Sequence, residues 1–399
     1  MKYISFIIVL LFFNSCKPKA DYNAKGLVEQ ISTQLKYSPV LKDDFKITNR
    51  NVFPRTLDSI GALHLVSKKD WTSGFYPGVL WYTYSLTEDP YWKTEAIKFT
   101  NLLESEKNNA SNHDIGFKMM PSFGLAYKYT DNDAYKRVLI ESAQTLITRF
   151  DETVGCIRSW DHHKDKWEFP VIIDNLMNLE LLYWAWKETG DPVYYNIATT
   201  HAKTTMKNHF RSDYSTYHVV NYDTITGVAR SKETHQGYAD NSCWARGEAW
   251  ALYGYTMAYR ESNESEFLKQ AEHVADYIIN VATLPEDYVP TWDFMLSDKV
   301  NEPKDASAAA VMASAFYELS TFTDNSKNKE SYLKVANGIM ASLSTKKYFN
   351  APGTDKGFLL SHSTGSKPWK SEIDVPLIYA DYYYLEALSR KLNIQTQTN

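Results

Sequence analysis

The sequence predicts an all-α fold, an (α/α)6 barrel or six-hairpin toroid, on three observations. Five segments repeat one plan: an aromatic-rich apolar stretch, a short turn built from Asp, Asn, Gly or Pro, then a second helical stretch. In each pair the first stretch is apolar on most sides, while the second sets Lys and Glu between apolar residues. That is the difference between an inner helix and an outer one. Strand alternation is confined to short pieces such as "YHVVNYD" (217–223), which suit small hairpins in long loops.

The pairs are "LWYTYSLTEDPYWKTEAIKFTNLL" (80–103), "FGLAYKYTDNDAYKRVLIESAQTLI" (123–147) and "LLYWAWKETGDPVYYNIATTHAKTTM" (181–206), followed by "WALYGYTMAYRESNESEFLKQAEHVADYI" (250–278) and "AFYELSTFTDNSKNKESYLKVANGIMASL" (315–343). A sixth inner helix fits "DVPLIYADYYYLEALSRKL" (374–392). Its outer partner comes from the other end of the chain, "NAKGLVEQISTQLKY" (23–37), so the two ends close the ring. The inner helices are expected to start near Phe75, Lys118, Pro170, Cys243, Ala306 and Val375. A barrel of this kind gathers those six starts at one end.

Residues 1–16, "MKYISFIIVLLFFNSC", stand outside the fold. A lysine, an apolar run from Tyr3 to Phe13 and a small-residue end at Cys16 have the layout of a secretory signal, too short to span a bilayer. The cysteine makes it resemble a bacterial lipoprotein signal, with lipidation expected at Cys16. Residues 17–22 then form a tether, and 23–399 a single domain. Lys17 and Lys19 do not resemble acidic surface-export tags, so the expected location is the bacterial cell envelope, lipid-anchored and facing the periplasm.

Charge and composition narrow the function. A net charge of −5 gives no electrostatic footprint for nucleic acid, so an anionic ligand must be held by local cations. Aromatics at 15% suit a large helical core, a sugar-stacking cleft, or both, with the core taking the larger share. Cys156 and Cys243 have no zinc-ligand spacing, and the adjacent histidines of "DHH" (161–163) cannot both face one metal from a regular element. No metal is expected at these residues.

The starts of the inner helices carry the chemistry. Capping accounts for Asp305 and Asp374, and "DNS" (240–242) is expected to cap the fourth inner helix. Capping does not account for Trp71, His113, Arg246 and Trp250. In "FPVIIDNLMNLELL" (169–182) Pro170 suits a first turn, and Asp174 lies amid Val171, Ile172, Ile173, Leu176 and Met177. A carboxyl in that hydrocarbon holds its proton to higher pH, as a general acid must. Asp114, in "HDIGF" (113–117) beside His113, supplies a second carboxylate at the same end, the equipment of glycosidic chemistry. Arg246 and Trp250, four apart, share a helix face and could clamp a sugar carboxylate and stack its ring.

The stretches "DWTSGFYPGVLWYTY", "HDIGF", "IIDNLMNLELL", "HQGYADNSCWARGEAWALYGY" and "HSTGSKPWKSEIDVPLIYADYYYLEAL" resemble glycoside hydrolase family 88, the unsaturated glucuronyl hydrolases, from about residue 25 to 392. The resemblance implies an (α/α)6 barrel without metal or organic cofactor. It implies removal of the Δ4,5-unsaturated uronic acid that polysaccharide lyases leave at the non-reducing end of glycosaminoglycan or ulvan fragments. Asp174 matches the acid that protonates C4 and then activates water for C5, and Asp114 the second essential acid, expected to stay ionised. Trp71, His113, Trp160, His218, Thr234, Gln236, Trp244, Arg246 and Trp250 match the sugar-binding residues, with Ser363 and Thr364 approaching from the last long loop. Ser363, Ser366, Lys367 and Lys370 have the chemistry with which some members read a sulfate. Three rival readings are an unsaturated rhamnogalacturonyl hydrolase on pectin fragments, an α/α-toroid polysaccharide lyase and a non-catalytic sugar-binding lipoprotein.

Overall fold

The turns between paired helices are built alike, and a computed structural model shows how. It describes residues 24–47 and 50–398; the signal, Cys16 and the tether lie outside the described residues. The outer helix α1 spans Ala24–Leu35, and the first hairpin pairs α2 (Phe75–Thr87) with α3 (Pro90–Asn101). The second inner helix comes in two pieces, α4 (Ile115–Met119) and α5 (Leu125–Thr130), followed by outer α6 (Asp133–Ile147). Then come α7 (Leu179–Thr189) with α8 (Pro192–Asn208), and α9 (Ala245–Ser262) with α10 (Ser265–Asp276). Helices α11 (Ala306–Leu319), α12 (Ser326–Leu343) and the last inner helix α13 (Ile378–Thr398) complete the set.

Four inner helices end on a left-handed residue, Glu88, Asp131, Gly190 or Asn263, which turns the chain back at once. Three of the outer helices that follow open on an Asp or Asn side chain capping the second N–H: Asp89 to Tyr91, Asn132 to Ala134, Asp191 to Val193. Pro90 and Pro192 fill the first helical position, where a missing N–H does no harm. Around the inner ring, α13 packs on α2, α2 on α5, α4 on α7, α7 on α9, α9 on α11, and α11 on α13. The expected (α/α)6 barrel is present and closed.

Short strands fill the long connections at the open end. Strands β1 (Asn51–Leu57) and β2 (Leu63–Ser67) pair, as do β3 (Phe150–Asp151) and β4 (Cys156–Ile157). Strands β5 (Phe169–Ile172), β6 (Val219–Tyr222) and β7 (Ala229–Glu233) form a three-stranded antiparallel sheet, and β8 (Ser363–Ser366) pairs with β9 (Ser371–Val375).

Several expected boundaries move, for local reasons. Pro170 lies in β5, not in a helix, because the β-branched run Val171–Ile172 pairs with Val220 and Val219. A 3-10 turn over Ile173–Asn178 then leads into α7. The second inner helix begins at Ile115, three residues before Lys118, and a π-turn at Met120–Gly124 accommodates Pro121. Asp374 does not cap α13: it lies in β9 and its carboxylate meets Nδ1 of His362 at 2.6 Å. Nor does the Asp240–Ser242 stretch cap α9, whose N-cap is Trp244. Asp240 accepts from the N–H of Thr234, and the Ser242 hydroxyl donates to Asp293 at 2.6 Å. Asp305 does cap α11, accepting from the N–H of Ser307 and of Ala308. Cys156 and Cys243 are buried, unpaired thiols.

Candidate active site

Two glycines let three chain segments meet at the barrel mouth. A Cβ on Gly116 would stand 2.5 Å from Cα of Asn178, so only glycine lets the start of α4 lie against the 3-10 turn that bears Asp174. The Asn178 side chain seals that contact by accepting from the N–H of Phe117 at 2.9 Å. On the other side, a Cβ on Gly74 would meet the carbonyl oxygen of Lys118 at 2.2 Å. Both glycines sit within the motifs "DWTSG" and "HDIG" that drew attention in the sequence, and they bring Asp114 and Asp174 to one cavity.

That cavity has a volume of about 320 Å³ and is lined by Trp71, His113, Asp114, Trp160, Asp174, Gln236, Trp244 and Arg246, all expected from sequence. Asp114 is the N-cap residue of α4, yet its carboxylate makes no capping bond and faces the cavity instead. Nε2 of the buried His113 lies 3.3 Å from it. Asp174 is the second residue of the 3-10 turn, and its Oδ2 has no hydrogen-bond partner in the protein.

Burial is the largest influence on both carboxyls and pushes each up to about 7. For Asp174 the Asp114 charge adds to the rise, while Arg246 and the Trp250 indole oppose it. For Asp114, Lys118 opposes the rise and Asp70 adds to it. Each carboxyl therefore holds its proton to higher pH than a free one, and the charge of Asp114 makes Asp174 harder to ionise. Asp114 is the more open to solvent, its side chain 18% exposed against 13%, and so the better placed to hold the charge.

His218 and Trp250 lie under the cavity rather than in its wall. Nδ1 of His218 accepts from the N–H groups of His235 and Gln236 at 3.1 and 3.2 Å. Burial holds the imidazole well below its ordinary value, so it is neutral, and its proton must be on Nε2. That nitrogen lies 3.7 Å from Oδ2 of Asp174. Trp250 is fully buried, edge-on to Phe117 and Tyr383. It cannot stack a sugar ring as expected; its N–H instead favours the ionised form of Asp174.

Arg246 departs further from expectation. It borders the cavity, but its Nη1 donates to Asp305 at 2.6 Å and to the Thr364 carbonyl at 2.6 Å, and its Nη2 to the Gly365 carbonyl at 2.5 Å. The guanidinium is a buried tie between α9, α11 and β8, with its charge balanced within the protein. Ser363 and Thr364 turn away from the cavity: both are buried, and the Thr364 hydroxyl donates to the Lys304 carbonyl. The same strand reaches the cavity through Gly365 and Ser366. The Thr234 hydroxyl accepts from the N–H of Gly237 and shapes the turn behind Gln236 rather than the wall. In "DHH", Asp161 pairs with Arg149 and Arg158, and His162 stacks on Trp160 at 4.9 Å. Among the described residues no cluster of three or more His, Cys, Asp or Glu is arranged to hold a metal ion.

Sequence reasoning missed Arg55, His235, Trp369, Glu372 and Tyr379, which also line the cavity. Arg55 sits in β1, in a segment without helical pattern, and binds Glu372 through two nitrogens at 2.6 and 2.8 Å. "KPWK" (367–370) held a signal: a tryptophan after a proline in a polar loop has no core to enter.

The chain is similar to known proteins over nearly its whole length. The family model described as Glycosyl Hydrolase Family 88 matches residues 49–390. An unsaturated glucuronyl hydrolase of Formosa agariphila is 47% identical, covering 98% of each chain. An unsaturated chondroitin disaccharide hydrolase of Streptococcus pneumoniae is 32% identical over 91% of this chain and 89% of its own length. Among solved structures, an unsaturated glucuronyl hydrolase specific for heparin superposes with a TM-score of 0.89 at 45% identity, covering 94% of this chain and 98% of that one. With the fold, the carboxyl pair and these likenesses in agreement, the chain belongs to glycosyl hydrolase family 88.

Proposed function

We propose that the protein removes the Δ4,5-unsaturated uronic acid from the non-reducing end of lyase-generated oligosaccharides, such as glycosaminoglycan or ulvan fragments, by hydrating the C4=C5 enol ether. The observation that carries this reading is the cavity's pair of buried carboxyls, both pushed up to about 7. A carboxyl that is half protonated near neutral pH can give a proton and take one back within a single turnover.

Asp174 delivers its proton to C4, and positive charge develops at C5 and the ring oxygen. Asp114, ionised, stabilises that charge across the cavity. Asp174, now a carboxylate, takes a proton from the water that adds to C5. The C5 hemiketal opens to a ketone, leaving C1 a hemiacetal that expels the hydroxyl of the neighbouring sugar. One water is consumed, and the glycosidic bond breaks as a consequence of hydration. The separation rule for retaining and inverting carboxylate pairs does not apply to this route.

The test is to incubate the protein with lyase-made unsaturated disaccharides and follow the ultraviolet absorbance of the double bond. Absorbance should fall with time. A rise on intact polymer would mark a lyase and no change a sugar binder, and either result sinks the reading.

We further infer that the mature chain is held in the cell envelope by a lipidated Cys16, facing the periplasm. The support is the signal layout of residues 1–16. Three acyl chains anchor stably where one is marginal. Cys16→Ala should move the protein from the membrane to the soluble fraction; full retention on the membrane would contradict the anchor.

A further inference from the structure

A second buried ion pair, besides Arg246 and Asp305, stands behind the carboxyls. Nζ of Lys118 donates to Oε2 of Glu106 at 2.9 Å, with side-chain exposures of 0% and 3%. Glu106 comes from a 3-10 turn (Glu104–Asn108) after α3, and the Asn109 amide donates to the same oxygen at 2.6 Å. Lys118 lies on α4, four residues after Asp114, so the two share a helix face. Among the described residues Glu106 is the one acceptor the ammonium meets, so two of its three N–H groups have no partner in the protein.

The helix is seated without this pair. Gly74 packs on the Lys118 carbonyl, the Ser122 hydroxyl donates to that carbonyl, and Asn178 holds the N–H of Phe117. Burying two charges costs free energy that their attraction barely offsets, and apolar groups of similar volume often serve a fold as well or better. The use of the pair lies in its charge. Asp114 faces Asp70 from the start of the 3-10 turn Trp71–Gly74, Arg149 from beyond α6, and Asp174 across the cavity. Most neighbouring charges are taken up elsewhere: Asp70 by Arg55, Arg149 by Asp161, Glu104 and Glu141 by Lys107, and Glu180 of α7 by Arg260. Nε2 of His113 lies 3.3 Å from Asp114, but burial holds that ring at about 3 and so neutral. Burial and Asp70 favour the protonated form of Asp114, and Lys118, ahead of Arg149, is the foremost charge that opposes them.

We infer that Lys118 is a positioning residue for the reaction: its buried ammonium keeps the Asp114 carboxylate ionised, and Glu106 holds the ammonium in place. The inference rests on the hydrolase reading, in which Asp114 carries charge while Asp174 carries the proton.

The pair can be removed whole. Lys118→Met with Glu106→Gln takes away both charges and nearly keeps the volumes, so this double variant should melt within a few degrees of the wild type. Its KM for an unsaturated disaccharide should change little, because neither side chain lines the cavity. The acid limb of its kcat profile should move up by about one pH unit, so that kcat on that side falls about tenfold. The sign follows from Asp114, which without the cation holds its proton to higher pH. Lys118→Arg, which keeps a cation against Glu106, should leave the limb near its wild-type position. If the wild type consumes no unsaturated disaccharide, the hydrolase reading fails, and the inference with it. If the wild type is active but the double variant keeps the wild-type limb or does not fold, the pair is a structural tie, and the inference is overturned while the reading stands. An equal shift in Lys118→Arg would make packing the cause and overturn it too.

Discussion

Nε2 of His218 lies 3.7 Å from Oδ2 of Asp174, and the ring's other nitrogen decides what it can offer there. Because Nδ1 accepts from two backbone N–H groups, the neutral ring carries its hydrogen on Nε2, the nitrogen that lies near the acid. At 3.7 Å the two atoms make no hydrogen bond, but a donor that closes on the carboxylate would favour its ionised form once the proton has gone. His218→Phe keeps a ring against Trp244 but removes both nitrogens. It should lower kcat by roughly 10- to 100-fold. The alkaline limb of the rate profile should also move to higher pH, because Asp174 loses a donor to its charged form. A lower rate with an unmoved limb would reduce His218 to a packing role.

Asp174→Asn should abolish turnover, by about a thousandfold or more, while binding of substrate persists, since the amide keeps the shape but moves no proton. Its stability should change in the opposite sense. A carboxyl raised from 3.8 to about 7 in the folded state contributes stability below its unfolded pKa, and that contribution is lost as pH rises through about 7. Above that window the wild type carries a buried charge that the amide lacks. The variant should therefore match the wild type near pH 4 and exceed it at pH 8, by about 4 kcal/mol at most. Urea unfolding of both proteins at the two pH values checks the sign.

Gly116→Ala tests how the two acids are brought together. The new Cβ would stand 2.5 Å from Cα of Asn178, a backbone atom that cannot swing aside. The start of α4 must then lift off the 3-10 turn, carrying Asp114 away from Asp174. Overpacking of this kind destabilises by about 1–3 kcal/mol, but the loss of kcat should be much larger than that stability loss explains. Near wild-type kcat would mean that the acids do not depend on this contact.

The barrel was legible because its evidence is repeated: five hairpins share a period and a turn chemistry, and one misplaced boundary changes nothing. Asp174 was legible because its neighbours in sequence, Ile172, Ile173 and Leu176, are also buried beside it. The helical start at Pro170 misread the same stretch, since the partner that makes Val171 and Ile172 a strand lies in β6, almost fifty residues on. Arg246 was recognised as special, but not its tie to the protein, because Asp305, Thr364 and Gly365 reach it only through the closed ring. Trp369 and Arg55 belong to the same class: single side chains on connections, placed by contacts no local pattern records.

The position of Arg246 replaces one expectation with another. A guanidinium free to clamp a sugar carboxylate would, on removal, raise KM and leave the fold intact. Here Arg246 and Asp305 are almost wholly buried, at 2% and 0% exposure, 2.6 Å apart, and the arginine also holds two carbonyls of β8. Breaking such a pair from one side leaves an unpaired buried charge, which costs about 3–5 kcal/mol. Arg246→Ala should therefore lower the melting temperature by several degrees and loosen the strand that presents Gly365 and Ser366 to the cavity. Arg246→Lys should recover little, because an ammonium cannot reach Asp305 and two carbonyls in one plane. The decisive comparison is the double variant Arg246→Met with Asp305→Asn, which removes both charges. If it regains much of the stability lost by Arg246→Ala, the arginine is a structural tie. If Arg246→Ala instead melts like the wild type and shows only a raised KM, the charge serves the ligand and the tie to Asp305 is incidental.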